Sequence, residues 1–195
     1  MKALLYCTKA KPYLVKDYDL YGEFIKYKTT EDLTNFQSLN GLSKKVNGLI
    51  VAECDIDKVD IIRVENQYAT WEETYCFLEN NPNFDLYKAS CLDEIQISNY
   101  LDKGKGYALR LSNVKVFDKL KDINSFYANH CIDKYGITSC DILMKAPQNM
   151  MNVCNSQGNR YVLISIQPQW LCKILNGEKT IEVRKQILNC LKEMI

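Results

Sequence analysis

Three charges of mixed sign stand close together near the end of this chain: Lys179, Glu182 and Arg184. An ammonium, a carboxylate and a guanidinium at that spacing support two kinds of chemistry. A lysine crowded by an arginine and partly desolvated falls in pKa and can serve as a general base. A carboxylate beside it holds it charged, which favours gripping a phosphate or a carbonyl instead. With Glu182 so near, binding through Lys179 and Arg184 is the stronger expectation, and Trp170 or Tyr107 offers a ring on which a base could stack. The plain alternatives are a solvated strand face carrying surface ion pairs, and a Trp170 that belongs to the core.

The elements that must position these groups run from Tyr161 to Lys185. Tyr161-Val-Leu-Ile-Ser-Ile166 is a short apolar, β-branched run and reads as a buried strand. Pro168 suits the first turn of a helix, where its missing N–H would have no partner anyway. Trp170, Leu171, Ile174 and Leu175 give that helix one apolar face, and Asn176-Gly177 stops it. In Thr180-Ile-Glu-Val-Arg184 polar and apolar residues alternate, so a strand there buries Ile181 and Val183 and turns Thr180, Glu182 and Arg184 the other way.

At 195 residues, 47% hydrophobic and 25% charged, the chain has the composition of a globular protein able to bury a core without staples. The longest apolar runs fall far short of the roughly 20 residues of a membrane helix. Met1–Cys7 is too short and too soon followed by Lys9 and Lys11 to be a secretory signal, so a cytoplasmic setting and no membrane partner are expected. Nine irregularly spaced cysteines without a Cys-x-x-Cys pair read as reduced, mostly buried thiols. His130, Cys131 and Cys140 lie near one another but read as ordinary loop residues, so neither metal nor cofactor is expected. A net charge of +1 excludes a long electrostatic tether, so a nucleic-acid contact would rest on a local patch.

Elsewhere, Ala3–Thr8 and Gly48–Ile56 read as strands, the second with Glu53 embedded in its apolar run. A carboxylate there is costly unless it reaches water or a cation, so Glu53 either points outward or pairs with Lys179 or Arg184. Residues 17–45 show no clean period, with one short helix expected near Thr30–Leu33. Trp71–Leu78 suits helix or strand, and Ser90 with Asp93 reads as a capped helix start running to about Leu101. Tyr107–Phe117, holding Arg110, is a long strand; Asp118–His130 leads into a helix. From Ile132 to Arg160 the chain turns rich in Asn, Ser, Gly, Met and Cys and reads as a linker.

Over Leu163–Lys185 a strand, then Pro and an apolar helix, then Gly177-x-Lys179-Thr180-x-x-x-Arg184 resembles the signature of the ASCH domains of the PUA-like superfamily. These are small β-barrels that bind RNA or modified nucleosides. The resemblance implies an α+β fold, a small mixed, mainly antiparallel PUA-like β-barrel flanked by helices. It implies a single domain: a main barrel portion at 1–130, a linker at 131–160, a strand-helix-strand at 161–185 completing the barrel, and a C-terminal helix at 186–195. The element that comes first in that family sits last here, so the order resembles a circular permutation.

By the same resemblance the chain would bind RNA or a modified nucleotide in a cleft lined by Lys179, Glu182 and Arg184, with Thr180, Tyr107, Arg110 and Trp170 as further contacts. Some members are amidohydrolases with a catalytic lysine, threonine and glutamate. That points to Lys179 and Glu53, although the threonine position holds Glu182. A ribonuclease is the other enzymatic alternative. A third class is a phage or mobile-element interaction module, meeting a protein partner or a second copy through residues 13–28 and the last helix.

Overall fold

The computed structural model describes residues 1–8, 14–18, 24–29, 46, 48–66, 74–102, 104–132, 138–143 and 145–195. Its centre is β1 (Lys2–Cys7), flanked by β4 (Ile50–Asn66) running antiparallel and β10 (Arg160–Ile166) running parallel. β1 and β10 are mostly apolar, as is the start of β4, because both faces of this part of the sheet are covered. Ala3, Leu5 and Cys7 pack into a first core with Val162, Ile164 and Ile166, while Leu4 and Tyr6 join Leu163 in another on the opposite face.

Beyond β4 the sheet continues through β6 (Gly106–Lys121) to β11 (Ile181–Arg184). Beyond β10 it continues through β9 (Met150–Cys154) and β7 (Tyr127–Ile132) to β8 (Thr138–Ile142). The long β4 also carries β5 (Thr74–Leu78) on its far end, through Ile62–Asn66. Residues 14–18 and 24–29 form β2 and β3, a separate antiparallel pair. The register between β4 and β6 shifts at three places, as at β-bulges or similar irregularities.

Helices cover both faces beside β11. The helix α1 (Leu86–Ser90) and α2 (Glu94–Leu101) pack on Ile62, Ala108, Ile181 and Val183 through Leu86, Ile97 and Leu101. Asp93 caps α2 in a reciprocal capping box with Gln96. On the other face α3 (Pro168–Leu175) sets Leu171 and Ile174 into the first core, each 1% exposed and worth roughly 2 kcal/mol of burial. It has Pro168 in its first turn, and Gly177 leaves it at φ +75°, a conformation that side chains resist. The last helix, α4 (Asn189–Lys192), is one short turn whose Leu191 is fully buried in the same core.

The expected closed barrel is not what forms. The strand path is open, with β11 at one end and β8 at the other. Closure would need the two end strands to pair, and β10, expected to complete a barrel with β11, has β1 on one edge and β9 on the other. The strand that occupies that edge lies inside the stretch read as a linker. Two further readings change for local reasons. Residues 118–121 continue β6, and a 3-10 turn at Ile123–Ser125 leads into β7 where a helix was expected. Ser90 ends α1 instead of capping α2. The helix expected at Thr30–Leu33 lies outside the described residues.

Candidate functional site

The short strand β11 puts Ile181 and Val183 into the core under α1 and α2, while Glu182 and Arg184 face the first-core side, opposite Leu109 and Tyr107 of β6. Lys179 reaches the same place from the turn before the strand. Backbone bonds hold that turn on both sides: Lys179 N–H donates to the Lys173 carbonyl and Thr180 N–H to the Ala89 carbonyl. All three charged groups are buried, with exposures of 3% for Lys179, 8% for Glu182 and 6% for Arg184. A surface ion-pair ladder is therefore excluded.

Glu182 joins the two cations. One carboxylate oxygen lies 2.9 Å from Arg184 Nη2 and the other 3.5 Å from Lys179 Nζ. Lys179 Nζ also donates to the Ser90 carbonyl at 2.6 Å, at the end of α1. Arg184 Nη2 donates to the Ser165 carbonyl and Nη1 to Asn149 Oδ1, each at 2.8 Å, while its buried Nε–H has no acceptor among the described residues. Ser165 is itself fixed by donating its hydroxyl to the Pro147 carbonyl at 2.6 Å. Burial pushes the Lys179 ammonium below its ordinary pKa; Glu182 opposes that and Arg184 adds to it.

These three groups line a cavity of about 660 Å³ between β11, α2 and the junction of β10 with α3. Trp170 forms part of the wall, its ring centroid 5.5 Å from Lys179 Nζ. Tyr100 adds a second ring, and carboxamides from Gln96, Asn99, Gln148, Gln167 and Gln169 supply neutral donors and acceptors. The volume suits a small molecule. Sequence reasoning did not single out Ser165, Asn149 or the Ser90 carbonyl. Ser165 alone carried a signal, as the one serine inside an otherwise largely apolar strand.

The other expected residues are elsewhere. Glu53 stands opposite Leu4, on the sheet face away from the first core, and its carboxylate lies 3.4 Å from Lys2 Nζ. Arg110 faces α1 and α2, where its Nε lies 2.6 Å from the fully buried Asp60 and its guanidinium stacks 4.6 Å from the Phe84 ring centroid. Tyr107 is half-buried against the first core, with Lys105 Nζ 5.8 Å from its ring centroid. Thr180 is exposed. His130 and Cys140 are register partners across β7 and β8, but with Cys131 their side chains lie outside the described residues. Among the described residues no cluster has the makings of a metal site.

The chain matches no family model, no curated protein and no solved structure. With no barrel and no family match, the ASCH and PUA-like resemblance and its permuted order are withdrawn. The functions it implied go with it. RNA or nucleotide binding by Lys179, Thr180, Arg184, Tyr107, Arg110 and Trp170 fails because Arg110 is committed to the opposite sheet face. The amidohydrolase and ribonuclease readings lose their second carboxylate, since Glu53 is paired with Lys2. The interaction-module reading loses its last helix, whose apolar residue Leu191 is spent on the core. Side chains of residues 13–28 lie outside the described residues. Among the described residues no helix is long and apolar enough to cross a membrane.

Proposed function

We propose that the cavity binds a small anionic solute, recognised by Arg184 and Lys179 with Glu182 holding both cations in place. The observation that carries this reading is a charge count. Among the described residues two buried cations share one carboxylate, so the cluster holds a surplus positive charge that a ligand anion would compensate. The carboxamide wall suits the polar remainder of such a solute, and Trp170 its apolar part.

Titration calorimetry with acetate, lactate and succinate against their neutral amides, and with inorganic phosphate, tests the reading. At least one anion is expected to bind with its amide silent. Arg184→Gln should weaken that binding at least tenfold, since hydrogen bonds to charged groups contribute about 1.5–3 kcal/mol. Equal binding of anions and amides, or an unaffected variant, would count against the proposal.

A further inference from the structure

We propose that Lys179 condenses with the carbonyl of a small 2-oxo acid to form an imine in this cavity; the inference rests on the anion-binding reading above. Three features support it: an amine in a cavity wall, a carboxylate within proton-transfer reach, and a guanidinium to hold the acid group.

The charge count singles out the lysine. Arginine does not give up its proton in proteins, so of the two cations only Lys179 can become neutral by losing one. Burial acts in the same direction. The Ser90 carbonyl accepts one Lys179 N–H at 2.6 Å and fixes the amine on the cavity side of β11. Because Lys179 and Arg184 bracket a single carboxylate, a compact ligand head reaches both: a carboxyl joined directly to a carbonyl.

The step balances without an outside reagent. The Lys179 ammonium passes a proton to Glu182, 3.5 Å away, and the freed lone pair adds to the ligand's carbonyl carbon. One N–H proton moves to the former carbonyl oxygen, giving a carbinolamine. Glu182 then returns its proton to that hydroxyl, the C–O bond breaks, water leaves, and an iminium remains. Iminium and Arg184 are positive, Glu182 and the ligand carboxylate negative, so the product cluster is neutral. Trp170 lies where its ring face meets the new cation.

The experiment is reductive trapping. The full chain is incubated with pyruvate and borohydride, and the modified lysine is located by peptide mass spectrometry. Calorimetry with pyruvate and with lactate, which lacks the carbonyl, runs alongside. A near-stoichiometric adduct on Lys179, absent from Lys179→Arg, is expected. Lactate and pyruvate binding alike with no adduct at Lys179 would overturn the imine and leave anion binding intact, as would labelling confined to exposed lysines. No binding of pyruvate would overturn the imine, and no binding of any of the anions named above would overturn both. The mapping on the unaltered chain decides the matter even if Lys179→Arg does not fold.

Discussion

Glu182→Ala is expected to lower stability by about 4 kcal/mol, because removing one partner of a buried ion pair strands the other. Here it strands two: Lys179 and Arg184 would face each other with no carboxylate between them. For a chain of 195 residues that corresponds to a fall in melting temperature on the order of 10 °C. The pH dependence has a definite sign. Lys179 already lies below its ordinary value, and losing Glu182 removes the main influence that opposes the lowering. The unfolded chain then binds more protons than the folded one between the folded pKa and 10.5, so the Lys179 contribution becomes more favourable as pH rises. The gap between variant and wild type should narrow from neutral pH towards pH 10.5. A variant as stable as wild type at neutral pH would mean that the cluster is solvated.

Asp60→Ala should be nearly as damaging, at about 3 kcal/mol. Asp60 is fully buried, with Lys58 Nζ and Arg110 Nε each 2.6 Å from its carboxylate. Burial alone would raise its pKa, but the hydrogen bonds and charges of Lys58 and Arg110 outweigh that and lower it. A lowered carboxylate pKa stabilises the fold above the unfolded value of 3.8, and the contribution is lost as pH falls through the folded value. Urea unfolding of wild type and variant should therefore differ most near neutrality and converge in acid. A difference that persisted unchanged below the folded pKa would place its origin in packing, not charge.

How far the fold could be read depended on where each strand's partners lie in the chain. The strands β1, β4, β10 and β11, and α3 with its Gly177 stop, announce themselves through local apolar pattern and turn chemistry. Barrel closure is a property of edges, and the edge of β10 is filled by Met150-Met-Asn-Val-Cys154. Those residues sit among Asn, Gln and Pro, so their strand character comes from the neighbour they pair with. Phe126 and Tyr127 suggested a helix, yet Phe126 packs edge-on against Tyr161 of β10 and β7 follows.

The site divides in the same way. Lys179, Glu182 and Arg184 were legible because they are close in sequence and the alternation of β11 is regular. Glu53 and Arg110 were not placed correctly because the face of a strand residue depends on register, and each falls on the face away from Glu182. Asn149, Ser165 and the Ser90 carbonyl reach the cluster from three separate segments, a convergence that only folding creates.

The decisive measurement is a crystal structure of the protein grown with whichever of acetate, lactate, succinate or phosphate binds in calorimetry. The ligand's anionic group is expected within hydrogen-bond distance of Arg184 or Lys179, in the cavity beside Trp170. An anion seated elsewhere, with the Lys179–Glu182–Arg184 cluster untouched, would show that the cavity is not the binding site.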